Sequence, residues 1–381
     1  MTEKLYEQDA FLRQFEAKVI SCGKGKKGFD VVLDRTAFYP EGGGQPYDAG
    51  KLGEAAVLEV HSRDGEVVHT CDRPLEEGTA VTGVIDWDRR FDLMQQHSGE
   101  HIVSGLAHAL WGCENVGFHL GAEVVTIDLS LPLTGEQCAQ LEEEANRWLW
   151  LDRPVEITYP SHEELARIDY RSKKELTGQV RIVTFPGADC CACCGTHVRS
   201  AGQVGLVKLL TAQKFREGMR IELVCGGRAS RYLSQVMEQN AQVSHLLSAK
   251  PLQTGAAVER LMAENEALKT RLMSLESSRF AALAGQYAGR GDVILFEDGL
   301  SPDALRRLCD AVLHTCGGWC ACFSGGDEGY KYAVGQTGGD LRALVKELNQ
   351  ALNGRGGGRP DFVQGSVRAS RGEIEAFFAG R

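Results

Sequence analysis

Two histidines four residues apart, His97 and His101, constrain this chain more than any other feature of its sequence. They lie in Gln95-Gln-His-Ser-Gly-Glu-His-Ile-Val-Ser-Gly105, where Phe91, Met94, Ile102, Leu106 and Leu110 recur with helical periodicity. A pair at i and i+4 projects from one helix face, within reach of one metal ion. Two histidines alone do not make a site, and most such pairs are surface residues. A complement stands far downstream: Asp189-Cys-Cys-Ala-Cys-Cys-Gly-Thr-His-Val198 offers thiolates and one imidazole. Cysteine with histidine favours zinc over magnesium or calcium.

The 381 residues are enough for two or three domains. Hydrophobic content of 43% with 25% charged residues is that of a soluble globular protein. Met-Thr-Glu-Lys-Leu-Tyr-Glu-Gln-Asp at the start lacks an apolar signal run, and no stretch approaches the roughly 20 apolar residues of a membrane span. A cytoplasmic protein without membrane partners is expected. Thirteen cysteines, not spaced as a disulfide framework, favour reduced thiols and a metal site. A formal charge of -10 argues against general coating of nucleic acid but leaves room for a basic groove for one folded RNA.

The pattern predicts an α+β chain in four parts. Residues 1–85 read as a small β-barrel, with Ala17-Lys-Val-Ile-Ser, Phe29-Asp-Val-Val-Leu-Asp, Ala56-Val-Leu-Glu-Val-His and Val81-Thr-Gly-Val-Ile-Asp as strands. Between them, Gly42, Gly43 and Gly44 sit among aromatics and prolines. They read either as a hairpin loop with positive φ or as bare backbone that lets a ligand approach closely. Residues 86–225 alternate helix and strand. The histidine helix ends near Gly112, residues 135–151 form an acidic amphipathic helix, and Val180-Arg-Ile-Val-Thr-Phe leads into the cysteine cluster, which is expected on a loop between strands.

Residues 226–285 read as a helical connector. Val258, Leu261, Asn265, Leu268, Leu272 and Leu275 form a coiled-coil seam with one polar position, met either by residues 232–247 folded back or by a second subunit. Residues 286–381 alternate strand and helix as an α/β domain and reach Gly354-Arg-Gly-Gly-Gly-Arg359. That run reads either as a flexible loop or as backbone suited to phosphate, with Arg355 and Arg359 flanking Gly356, Gly357 and Gly358. Cys316, Cys320 and Cys322 read as buried strand residues rather than a second metal site.

Thr36-Ala-Phe-Tyr-Pro-Glu-Gly-Gly-Gly-Gln45, Gln96-His-Ser-Gly-Glu-His101 and Cys193-Cys-Gly-Thr-His-Val198 resemble the successive motifs of the alanyl-tRNA synthetase editing domain and its free-standing relatives, the AlaX proteins. The last segment resembles the DHHA1 domain that ends the synthetases and the long AlaX proteins. No class II aminoacylation region precedes the editing motifs, so the resemblance implies a free-standing hydrolase of the ester joining serine or glycine to alanine tRNA. It implies zinc on His97, His101, Cys193 and His197, and a C-terminal domain for tRNA binding and dimerisation.

An aminoacyl ester is already activated, so such an enzyme must position water, polarise the carbonyl and exclude alanine. Four protein ligands close the ion; three leave a position open. Thr36, at the place of the family's motif threonine, is the candidate partner for the serine hydroxyl. Gln45 and His119 are candidates for contacts with the terminal adenosine. His97-Ser-Gly-Glu-His101 also spells the inverted zinc-peptidase motif H-x-x-E-H, with Glu100 as base, and Glu100 departs from many family members. That reading leaves the glycine loop and cysteine cluster unexplained. A DHH phosphoesterase lacks its metal cluster here, and a noncatalytic tRNA-binding protein needs no metal.

Overall fold

The computed structural model describes residues 1–172, 178–326 and 328–379. The chain divides into two compact units, residues 1–239 and 240–381.

In the first unit, six strands close into a barrel. In spatial order they are Gln14–Lys24, Phe29–Leu33, Glu66–Cys71, Ala55–Arg63, Gly50–Leu52 and Ala80–Ile85, the last pairing back onto the first. Alternate residues point inward, so Phe15, Ala17, Val19, Val31, Leu33 and Val60 are buried together while their neighbours face water. Gly50–Leu52 and Glu66–Cys71 are not among the expected strands.

The barrel leads directly into the helix Trp87–Trp111. Asp86 caps it by accepting the N–H of Arg89, and Gly112 ends it in the left-handed conformation. The helix is buried on nearly all sides from Leu93 to Ala107, because two sheets and a second helix, Gly135–Trp150, surround it. One sheet is antiparallel in the order Val207–Phe215, Gly218–Cys225, Val125–Leu129, Asn115–Leu120. The other runs Glu156–Thr158, Ile182–Phe185, Asp189–Ala192. Gly105 lets the helix meet that second sheet: a Cβ there would lie 2.2 Å from the Ala188 carbonyl and 2.6 Å from Asp189 Cβ. A glycine costs a helix interior about 1 kcal/mol, and here it brings the strand of the cysteine cluster against the histidines. The cluster begins inside that strand rather than on a loop: Cys190 and Cys191 are strand residues, and Cys193 and Cys194 follow its end.

The helix Gly226–Leu246 carries the chain into the second unit, where Thr254–Gln286 is a helix of 33 residues. Its seam residues Val258, Leu261, Leu268, Leu272 and Leu275 are all exposed. A five-stranded sheet follows in the order Gly291–Phe296, Gly317–Gly326, Gly329–Gln336, Phe362–Val367, Arg355–Arg359. Only the first pair is parallel, joined through the helix Pro302–Cys316. The glycine run is thus not a loop. Arg355–Arg359 is an edge strand in a hairpin with Phe362–Val367, and a Cβ on Gly356 would lie 2.1 Å from the Tyr332 hydroxyl. No helix among the described residues is long and apolar enough to cross a membrane.

Candidate metal centre

His97, His101, Cys193 and His197 place one ligand atom each within 4.8 Å of one another. The histidine helix supplies the first two; the turn after strand Asp189–Ala192 supplies the others. All three imidazoles are buried. Cys193 Sγ lies 3.5 Å from His97 Nε2 and 3.3 Å from His197 Nε2.

Each ring is aimed by a bond on its other nitrogen. His97 Nδ1 donates to Gln45 Oε1 at 2.9 Å, His101 Nδ1 to Asp189 Oδ2 at 2.8 Å, and His197 Nδ1 meets Ser98 Oγ at 3.2 Å. With the Nδ1 atoms held, the Nε2 atoms converge on the sulfur, the arrangement by which metal-binding histidines are oriented. Ser98 and Asp189 went unnoticed in the sequence. Ser98 lies between the two histidines, and Asp189 opens the cysteine run, so position was the only signal.

Burial by itself pushes the Cys193 thiol up, but the imidazoles of His97, His197 and His101 outweigh it and hold the sulfur well below the ordinary thiol range. Burial pushes His197 down to about 3, keeping it neutral and able to ligate. For His101, burial acts downward, yet the Asp189 carboxylate and the nearby Cys191 and Cys193 raise it. Metal binding needs a thiolate and neutral imidazoles, so it is coupled to proton release.

The cluster lies on a cavity of about 460 Å³, in the range of small-molecule sites. Gly43 and Gly44 form part of its wall. They are the two positive-φ residues of a tight turn closed by mutual Gly42 and Gln45 backbone bonds. A Cβ on Gly44 would lie 2.6 Å from the ring of Phe118, which stacks on His97 at 5.3 Å. The turn is held by a buried ion pair absent from the sequence reading. Arg90, fully buried, binds Asp48 through Nε at 2.8 Å and through Nη2, and also donates to the Ala37 and Ala10 carbonyls.

Thr36 is fully buried; its hydroxyl pairs with His69 Nε2 at 2.8 Å and accepts the Phe38 N–H. Gln45 is also buried, donating from Nε2 to Thr196 Oγ1 and accepting from His97 through Oε1. His119 is exposed and alternates with Phe118 along strand Asn115–Leu120, which turns it from the face Phe118 presents to His97. Glu100 is buried. It lines the cavity while Oε1 accepts from Ser104 at 2.8 Å and from Asn115. Arg355, Gly356, Gly357, Gly358 and Arg359 are exposed on their edge strand. Among the described residues a second thiol cluster, Cys309, Cys320 and Cys322, is fully buried in an apolar core without histidine.

Fold and site together define a protein of the tRNA-synthetase editing-domain class. Residues 5–89 match the family described as tRNA synthetases class II (A), residues 180–222 the threonyl and alanyl tRNA synthetase second additional domain, and residues 289–379 the DHHA1 domain. The alanyl-tRNA editing protein Aarsd1-B of Xenopus laevis is 32% identical, over 75% of this chain and 74% of its own length. The alanyl-tRNA editing protein AlaX-L of Pyrococcus horikoshii is 28% identical over 98% of this chain and 96% of its own. The alanine–tRNA ligase of Halorubrum lacusprofundi is 32% identical over 96% of this chain but only 42% of the ligase. The C-Ala domain of Aquifex aeolicus alanyl-tRNA synthetase aligns with 23% of this chain at 21% identity and a TM-score of 0.19, too slight a likeness to bear on the fold. This chain belongs to the alanyl-tRNA editing protein family.

Proposed function

We propose that the chain is a free-standing hydrolase that deacylates alanine tRNA mischarged with serine or glycine, sparing Ala-tRNA, at a zinc ion held by His97, His101, Cys193 and His197. The observation that carries this is the convergence of three oriented Nε2 atoms and one thiolate at the wall of a cavity. The donor set fits zinc. Zn–S of about 2.3 Å and Zn–N of about 2.0 Å give a tetrahedral S–N edge of roughly 3.5 Å, close to the 3.3 and 3.5 Å separations here. When bound, zinc supplies Lewis-acid polarisation of the ester carbonyl.

The residues of the chain do the rest. Gln45, Ser98 and Asp189 fix the imidazoles. Phe118 and the Gly43-Gly44 turn wall the cavity against water. Glu100 is fixed by Ser104 and Asn115, so its role is positioning, and Glu100→Gln lowers deacylation by less than about tenfold; a peptidase-type general base would cost 10²- to 10⁴-fold. Residues 1–85 and 86–225 carry the editing chemistry. Residues 286–381 bind the tRNA body, with Arg355, Arg359 and the backbone of Gly356, Gly357 and Gly358 facing it. The exposed seam of the 226–285 connector is the surface on which two copies pair.

The test incubates the purified protein with Ser-, Gly- and Ala-charged alanine tRNA. Release of serine and glycine but not alanine, with one zinc per chain and loss of both metal and activity in Cys193→Ala, is the expected result. A Cys193→Ala protein retaining zinc and full activity would sink the assignment.

A further inference from the structure

The cavity wall carries one arginine among its described lining residues, and only part of its guanidinium is engaged. Arg171 Nε donates to Asp189 Oδ1 at 2.7 Å. The same carboxylate takes the His101 Nδ1 proton through Oδ2, so the guanidinium plane is tied to a metal ligand. The main chain fixes it as well: the Arg171 N–H reaches the Cys190 carbonyl at 2.8 Å, and its carbonyl accepts the Ala192 N–H at 3.0 Å. Nη1 and Nη2 have no hydrogen-bond partner among the described residues, and the side chain keeps 18% exposure where it borders the cavity. This is a rigidly mounted, end-on pair of cationic donors beside the reaction centre.

Such a pair calls for an anion with two oxygens. Resting on the proposed function, the ligand is the aminoacylated 3' end of a tRNA. Its amino acid is esterified and offers no carboxylate, and its ammonium is repelled by arginine. The oxyanion of the reacting carbonyl would be served by the ion that the Nε2 and sulfur cluster would hold. The remaining fixed anion is the phosphate on the 5' side of the terminal adenosine. We propose that Arg171 is the phosphate subsite for that terminal nucleotide, holding it in register while the ester lies at the metal centre.

Two measurements on the zinc-loaded protein test this. In the wild type, calorimetric binding of adenosine 5'-monophosphate should be about tenfold or more tighter than that of adenosine, as a charge-assisted bond implies. Equal affinities overturn the proposal, and because no hydrolysis is involved this result is independent of the editing activity. In the second, 3'-seryl-adenosine with and without a 5'-phosphate are compared as substrates. Arg171→Met should raise KM about ten- to hundredfold for the phosphorylated ester with kcat and zinc content nearly unchanged, leave the other ester unaffected, and be partly rescued in Arg171→Lys. Equal losses on both esters, with or without loss of zinc, would show that Arg171 serves only to support Asp189. Failure of the wild type on seryl-tRNA itself would count instead against the proposed function.

Discussion

At the scale of single residues, the groups that hold the ligands matter as much as the ligands. Gln45 binds His97 with its oxygen and Thr196 with both ends of its amide. Gln45→Leu removes the acceptor that fixes the His97 ring, and is expected to lower zinc affinity by about 10- to 100-fold. A chelator competition titration reads this; a variant with unchanged zinc affinity but a raised KM for tRNA would restore Gln45 as a substrate contact. Of the four candidate ligands, His97 and His101 were legible from residue type and spacing, and Cys193 and His197 from the resemblance to the family's motif. Gln45, Ser98 and Asp189 were not, since a donor or acceptor of many types can hold an imidazole, and no local pattern marks a partner 52 or 88 residues away. His69 makes a different prediction. Burial pushes it from the ordinary 6.5 down to about 4, with Nδ1 on the Val31 carbonyl and Nε2 accepting from Thr36. The unfolded chain therefore binds the extra proton between those values. The stability His69 lends is complete above about pH 6.5, declines as pH falls through the window and is gone near pH 4, a loss of roughly 3 kcal/mol at about 1.4 kcal/mol per unit. Thermal unfolding at pH 7 and 4.5 should show a smaller pH difference in His69→Gln than in the wild type. An identical difference would show that His69 titrates normally.

At the scale of elements, the decisive contact is between the barrel's glycine loop and the histidine helix. Arg90 and Asp48 form a fully buried pair there, and Arg90 also holds the Ala10 and Ala37 carbonyls. Arg90→Ala leaves the Asp48 carboxylate buried without its cation, which costs about 3–5 kcal/mol. Because the same loop carries Gln45 and the Gly43-Gly44 wall, deacylation should fall along with the denaturation midpoint. A variant that unfolds like the wild type would mean that Asp48 finds water or another donor. The helix Trp87–Trp111 was readable because its periodicity and the terminal Gly112 agree, while its cap Asp86 reads in the sequence as the end of the preceding strand. The glycine strand Arg355–Arg359 was not. Glycine is poor in strands and common in loops, and what selects it at 356 is the Tyr332 hydroxyl across the sheet, a long-range contact that leaves no local trace.

At the scale of the whole molecule, every group of the candidate centre and its cavity belongs to residues 1–239, whereas the exposed seam and the basic edge strand belong to residues 240–381. The barrel core, both sheets and the histidine helix lie within the first unit. A chain ended after Leu246, the last residue of the connecting helix, should therefore fold, bind one zinc and hydrolyse serine from a short seryl-RNA at a kcat within a few-fold of the full chain. Full-length tRNA tests the other unit. Arg355 and Arg359 are exposed on the edge strand, and each phosphate they neutralise adds nearly one to the slope of log affinity against log salt. If they face the tRNA body, the shortened chain should bind seryl-tRNA more weakly with a slope smaller by about two, and KM should rise while kcat holds. Binding measured from 50 to 200 mM salt in both proteins decides this. An unchanged affinity and slope would remove the second unit from tRNA recognition and leave its exposed helical seam, and hence pairing of two chains, as its remaining assignment.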